Sequence, residues 1–180
     1  MNNSDNYYYE IKESFQEIDK VRQFIPKADW QWVPFQTIAM NFDQSIDTDP
    51  FIKTIGTTFD GILRLYKFPA NYVYHWHRDK DVGCSLNMVL DVYNSHTLFT
   101  RSNPKPVYLE AIIELNYKPN TWYIFNSQEK HSVINLDDRE RVLFTLIMPK
   151  TVKYHDVVEW YKQYSKNRLQ TSYATTKERS

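Results

Sequence analysis

The sequence predicts a mainly β fold, an antiparallel sandwich or jelly roll buttressed by a helix at each end. Three observations predict it. Short runs rich in Val, Ile, Tyr, Phe, Trp and Thr follow one another from about residue 28 onward. Turn clusters separate them, among them Phe68-Pro69-Ala70-Asn71, Ser102-Asn103-Pro104, Lys118-Pro119-Asn120 and Asn135-Leu136-Asp137-Asp138. The strands also lack the alternation with helices that builds a parallel sheet.

Taken in chain order, residues 10–25 place Ile11, Phe15, Ile18, Val21 and Phe24 or Ile25 at three- and four-residue intervals. That spacing predicts an amphipathic helix. Strands are predicted over 62–66, 72–77, 85–92, 96–100, 111–115, 122–125, 132–134 and 141–148. A second helix is predicted over 156–167, with Val157, Trp160, Tyr161 and Tyr164 on one side and Asp156 as its cap. No linker or repeat divides the chain, so residues 1–170 read as a single domain with its β core over 62–148. Residues 171–180 read as a flexible polar tail.

Composition narrows the function. The chain has 180 residues with 22 acidic and 22 basic side chains, which leaves no net charge for phosphate-driven nucleic-acid binding. The longest apolar run, Val142 to Pro149, is too short to span a bilayer. Met1 to Glu10 lacks a basic segment followed by an apolar one, and a lone Cys84 excludes an internal disulfide framework; both point to a reducing cytoplasm. Only three glycines, Gly56, Gly61 and Gly83, are present, too few for a glycine-rich phosphate loop. Turns must therefore be made by Asn, Asp and Pro.

The one dense cluster of metal-capable side chains is His75-Trp76-His77-Arg78-Asp79. In an extended strand, residues two apart share a face, so His75, His77 and Asp79 could converge. An HxD pair alone is a weak motif. Further along, His131 lies 54 residues after His77, and Arg141 lies ten residues beyond His131 at the start of a strand. Two histidines and one carboxylate on one side of a metal leave three coordination positions open, as non-haem iron oxygenases require. A guanidinium at the far end of such a pocket grips a carboxylate in a fork, which a lysine does less specifically.

In this ordering the sequence resembles the Fe(II)- and 2-oxoglutarate-dependent dioxygenases. His77 and Asp79 match that family's HxD pair, His131 its distal histidine and Arg141 its basic position. Lys118 to Phe125 resembles the turn and strand before the distal histidine, with Asn120 where glycine is commoner. The resemblance covers roughly residues 62–148. It is nearest the prolyl-hydroxylase and aspartyl/asparaginyl-hydroxylase types, the second of which often lacks the acidic ligand supplied here by Asp79. It implies a double-stranded β-helix (jelly roll), with Fe(II) held by His77, Asp79 and His131 as catalytic centre. It further implies 2-oxoglutarate as cosubstrate, bound through Arg141, and hydroxylation of an amino acid, peptide side chain or small metabolite with release of succinate and CO2. The partners implied are 2-oxoglutarate, dioxygen and a substrate not named by these residues.

Alternation along residues 141–146 places Thr145 on the side of Arg141, as a second donor to the carboxylate. Asn87 is either a cosubstrate contact or an outward polar residue. Arg139, in the turn, is read as facing water, Arg64 and Tyr74 as packing or surface residues, and Cys84 as a packing residue. His96 and His155 stand alone. Two other readings remain open. A cupin-like metalloprotein would use His75, His77 and His131, although cupins add a Glu and glycine turns that are missing after His77; a non-catalytic β-sandwich would bind a ligand or partner. Most aromatics, including Trp122, Tyr123, Phe125 and Phe144, are expected in the core. Tyr7-Tyr8-Tyr9 and Trp30-Gln31-Trp32 could line an entrance, and selectivity is expected from the N-terminal segment and the loop around Thr97 to Val107. Oligomeric state is not legible.

Overall fold

The structure, a computed structural model, describes residues 5–33, 36–40, 42, 49–91, 94–100 and 112–177. Its elements in order are β1 (Tyr8–Glu10), α1 (Ile18–Phe24), a 3-10 turn (Ile25–Lys27), β2 (Trp30–Val33), β3 (Gln36–Ala39), α2 (Pro50–Thr58), β4 (Ile62–Phe68) and β5 (Tyr72–His77). They continue with β6 (Val82–Val89), β7 (Ser95–Thr100), β8 (Ile112–Leu115), β9 (Tyr123–Phe125), β10 (His131–Asn135), β11 (Arg141–Pro149) and α3 (Tyr154–Lys177). The strands form two antiparallel sheets, one ordered β1-β9-β6-β11-β4-β3-β2 and a smaller one ordered β5-β10-β7-β8. From β5 to β11 the chain repeatedly crosses between the sheets, which makes a jelly roll of the predicted mainly β class.

Side-chain alternation gives the larger sheet two different faces. Cys84, Leu86, Met88 and Leu90 of β6 and its end, with Phe144, Leu146 and Met148 of β11, join Ile52 and Ile55 of α2 and Val157, Val158 and Tyr161 of α3 in one apolar cluster. Each such side chain, fully buried, contributes about 1.5–3 kcal/mol. Ser85, Asn87, Arg141, Leu143 and Thr145 emerge on the opposite face, toward the smaller sheet. Among the described residues no helix is long and apolar enough to cross a membrane.

The eight predicted strands all form, within a few residues of their expected ends; residues 92 and 111 of two of them lie outside the described residues. The N-terminal helix is shorter than its periodicity implies. Tyr8–Glu10 instead pairs with β9, and the Ile11 amide donates to the Trp122 carbonyl, so the chain is extended where a helix was predicted. Ile11 and Phe15 are still buried; their four-residue spacing serves an irregular segment as well as it would a helix. β2, β3 and α2 were not anticipated. α2 starts on a strong local signal, since Asp49 caps it by accepting from the Phe51 and Ile52 amides and Pro50 occupies the first turn. α3 begins two residues before Asp156, which sits in its first turn rather than capping it, and runs through the expected tail to Lys177.

The glycine shortage has a structural counterpart. Asp60, Asn71 and Asn120 take the left-handed backbone conformation, with φ of 51°, 50° and 56°. Asn and Asp tolerate that region because their short side chains bond locally. Asn120 therefore performs the turn for which glycine is the usual choice. Gly83 answers a different need: a Cβ there would stand 2.2 Å from the Val152 carbonyl oxygen.

Candidate active site

β5 and β10 lie side by side in the smaller sheet with His77 opposite His131. The pairing skips a residue just before this point: His131 and Val133 of β10 face His77 and Tyr74 of β5. One extra residue on β5 therefore forms a bulge, and a bulge reverses which face the following side chain takes. His77 turns inward with Tyr74, and their rings stack at 3.9 Å. His75 is exposed on the other side. The simple alternation that put His75, His77 and Asp79 together does not hold, and the cupin-like set of His75, His77 and His131 is not formed.

What does converge is His77, Asp79 and His131, whose candidate ligand atoms all lie within 4.8 Å of one another. Asp79 Oδ1 is 3.6 Å from His77 Nε2 and 3.9 Å from His131 Nε2. Both imidazoles are oriented by main-chain carbonyls: His77 Nδ1 donates to the His75 carbonyl at 2.7 Å and His131 Nδ1 to the Glu129 carbonyl at 2.9 Å. A carbonyl only accepts, so each Nδ1 carries a proton and each Nε2 faces the cluster, the arrangement usual for metal-binding histidines. Burial pushes the His131 pKa down to about 4 against the pull of Asp79, so this ring is neutral at pH 7. Burial alone would raise Asp79, but the two imidazoles beside it and the Ser127 side chain outweigh it and hold the carboxyl below its ordinary range.

The cluster opens into a cavity of about 150 Å³ between the sheets, which also admits Tyr66, Tyr74, Asn87, Tyr117, Arg141 and Thr145. Arg141 enters from the first residue of β11 and is 3% exposed. Its Nη1 donates to Ser95 Oγ at 3.0 Å and its Nη2 to Thr97 Oγ1 at 2.9 Å, while Nε is buried without a partner among the described residues. The guanidinium carbon lies 5.2 Å from the Tyr117 ring centre and 5.9 Å from that of Phe68. No carboxylate among the described residues pairs with it. A guanidinium stays charged in any protein environment, and a buried unpaired charge costs several kcal/mol. The site thus offers a fixed positive group and an unused donor to an anion.

Beside it, Thr145 Oγ1 donates to Asn87 Oδ1 at 2.6 Å. That leaves the Asn87 amide hydrogens for other partners, and Tyr117 lines the cavity with it. Burial pushes Tyr117 up to about 12 despite Arg141 and Asn87. The phenol therefore keeps its proton at pH 7 and offers a donor in the cavity wall. Thr145 is inward as expected, but its own proton is committed to Asn87. Asn87 is buried in the cavity wall rather than outward.

Several residues with no motif signal share the site: Tyr66, Ser95, Thr97, Tyr117, Ser127 and Gln128. Alternation along β4 opposite the buried Leu63 and Leu65 was the available hint for Tyr66. Tyr74, read as a packing residue, lines the cavity. Arg64 is half-buried and donates to the Leu63 carbonyl, outside the cavity. Arg139 pairs with Asp137 at the surface, as its turn position suggested. His96 binds Glu114 and Asn94 on the outside of β7, His155 is exposed, and Cys84 is buried with its thiol pKa raised by burial. The N-terminal aromatics do not line the cavity: Tyr7 and Tyr8 pack on Phe99, Tyr9 packs on Tyr161, and Trp32 is exposed. Of the loop expected to set selectivity, residues 101–107 lie outside the described residues.

No protein-family model matches the chain, and no curated protein matches it in sequence. Solved structures do match in fold. HygX from Streptomyces hygroscopicus, solved with nickel, 2-oxoglutarate and hygromycin B, aligns with a TM-score of 0.59 over 84% of this chain and 86% of its own, at 9% identity. A 2OG-Fe(II) oxygenase family protein from Burkholderia pseudomallei gives 0.58 over 79% and 84%, at 11% identity. A prolyl hydroxylase from Trichoplax adhaerens, in complex with a hypoxia inducible factor peptide fragment, gives 0.58 over 81% and 84%, at 11% identity. The fold is that of the Fe(II)- and 2-oxoglutarate-dependent oxygenases.

Proposed function

We propose that residues 1–170 act as one oxygenase domain, an Fe(II)- and 2-oxoglutarate-dependent dioxygenase that hydroxylates an amino acid, a peptide side chain or a small metabolite. The observation that carries this reading is the pairing, inside one cavity, of a His77/Asp79/His131 donor set with a buried Arg141 that has no counter-ion among the described residues. Two imidazoles facing the cluster through Nε2 and one carboxylate, with an open cavity on their far side, suit a divalent iron that must also bind exchangeable ligands. Arg141 supplies the complementary half, a fork for the distal carboxylate of a 2-oxo dicarboxylic acid. When bound, the iron would supply the redox chemistry that couples decarboxylation of 2-oxoglutarate to succinate and CO2 with oxygen insertion into a C–H bond.

The chain's own residues provide position and environment. Arg141, steadied by Ser95 and Thr97, would hold the distal carboxylate through its free Nε, with the Tyr117 hydroxyl as second donor. Asn87, held by Thr145, would orient that hydroxyl through its side-chain amide. Tyr74, stacked on His77, and Tyr66 wall the side left for substrate and exclude water from the metal. Calorimetric titration of the purified protein with Mn(II), then with 2-oxoglutarate, tests the reading. It requires stoichiometric metal binding, 2-oxoglutarate binding that depends on metal, and succinate release with Fe(II). A protein that binds neither ligand refutes it.

A further inference from the structure

Asp79 differs from the two histidines in how it is held. His77 and His131 sit in strands and are fixed by the ladder between β5 and β10. Asp79 lies in the connection between β5 and β6, outside any strand, where the chain crosses from the smaller sheet to the larger. The connection between β9 and β10 makes the reverse crossing alongside it, and the two are tied together by one short stretch.

We propose that Gln128 is the positioning residue of the metal site, a strut that fixes the Asp79 turn against the turn leading to His131. This inference rests on the metal-binding reading above. Both hydrogens of the Gln128 amide are used on the Asp79 side: Nε2 donates to the Asp79 carbonyl at 2.9 Å and to the Val82 carbonyl. Its main-chain carbonyl accepts from Arg78 Nε at 2.9 Å, and its main-chain N–H donates to Asn126 Oδ1 at 3.2 Å. Gln128 thus grips the Asp79 connection at residues 78, 79 and 82, spanning it from end to end.

Its two neighbours complete the clamp. The Ser127 carbonyl accepts from the Asp79 amide at 3.0 Å, and the Ser127 hydroxyl lies 3.3 Å from Ser85 Oγ. The Glu129 carbonyl orients the His131 ring. Three consecutive residues therefore set the position of the carboxylate and of the imidazole that faces it. Groups that orient ligands in this way typically change metal affinity by about 10- to 100-fold when removed.

The chemistry of the strut is specific. Both partners of the side chain are carbonyls, which only accept, so the position needs an uncharged group with two N–H donors at that length. Gln128→Glu keeps the size but presents oxygens to oxygens. The test titrates Co(II) into wild type, Gln128→Glu and Gln128→Ala by calorimetry, well below the unfolding temperature of each metal-free protein, and records the Co(II) visible spectrum. The expected result is a 10- to 100-fold weaker affinity in both variants, with a spectrum altered by loosened carboxylate ligation, in proteins whose unfolding temperatures remain close to wild type. Should Gln128→Ala not fold, Gln128→Glu carries the test alone. Arg78→Met, which releases the same turn from the surface side, is expected to give a smaller loss. Wild-type affinity and spectrum in Gln128→Glu would overturn the strut while leaving the metal site standing. Failure of the wild type itself to bind metal would overturn the metal site, and the strut with it.

Discussion

On β11, Phe144, Leu146 and Met148 turn to the helices, while Arg141, Leu143 and Thr145 turn to the smaller sheet. On β6 the same division sets Leu86 and Met88 against Ser85 and Asn87. The two sets differ by one step along the same backbone, yet one face consists of close-packed rings and methyls and the other of buried polar groups around a cavity. The apolar face is a reservoir of stability. The polar face leaves one buried side-chain donor, Arg141 Nε, without a partner among the described residues, and that donor marks what the cavity is prepared to receive.

The comparison breaks most visibly if a change on one face has consequences for the other. Phe144 is fully buried, with its ring 5.0 Å from Trp122, 5.5 Å from Phe15 and 5.6 Å from Phe42. Phe144→Ala is expected to cost about 3–5 kcal/mol of stability in urea unfolding, the usual effect of emptying an aromatic site in a core. Metal and 2-oxoglutarate affinities of the folded fraction should stay at wild-type levels. A large loss of affinity in still-folded protein would show that the two faces are not independent.

Arg141→Met is the reciprocal change, and its two effects have opposite signs. Removing the guanidinium should weaken 2-oxoglutarate by about 2–5 kcal/mol, the range for truncating one member of a buried charge pair. Stability of the ligand-free protein should be unchanged or higher, because an unpaired buried charge has been replaced by an apolar chain of similar length. Stability falling as far as in Phe144→Ala would mean that Arg141 serves packing and the two hydroxyls rather than a ligand.

How much of this was legible in the sequence follows the same division. The apolar face announces itself by alternation, so the strands from 62 to 148 were readable. His77, Asp79, His131 and Arg141 were readable because their chemistry is rare and their spacing matches a known arrangement. Ser127 and Gln128 carry no such mark. A serine and a glutamine in a polar connection look like any solvated turn, and only the adjacency of two crossings between sheets gives them work. The misplacement of His75 has a similar origin: a bulge adds one residue to β5, and nothing in Tyr74-His75-Trp76-His77 shows where strict alternation stops. The N-terminal segment misled because Ile11 and Phe15 bury themselves at helical spacing on an extended chain.

Within the polar face, Thr145→Val sharpens the comparison at a finer scale. The substitution preserves shape but removes the donor to Asn87 Oδ1, leaving a buried acceptor and releasing the amide proposed to orient Tyr117. A stability loss of about 1–3 kcal/mol is expected for the orphaned group, with weaker 2-oxoglutarate binding and unchanged metal affinity. Tighter binding of 2-oxoglutarate in Thr145→Val would show that Asn87, held by Thr145, does not direct the Tyr117 proton to the ligand.

The smallest expected effect discriminates between two metal sites. His75 stands on the ligand strand itself, two residues before His77, but projects to solvent, and its contribution to the site is its carbonyl, which holds His77 Nδ1 at 2.7 Å. Alanine keeps that carbonyl. His75→Ala should therefore leave metal affinity at the wild-type value and shift stability by no more than about 0.5 kcal/mol, as surface substitutions generally do. Loss of metal in this variant would mean that the bulge is not maintained in solution and that the ligand set is built from His75 and His77 on one face. Retention of metal there, together with its loss in Asp79→Ala, places the third ligand on the turn rather than on the strand, where the carboxylate depends on the neighbouring connection to hold it.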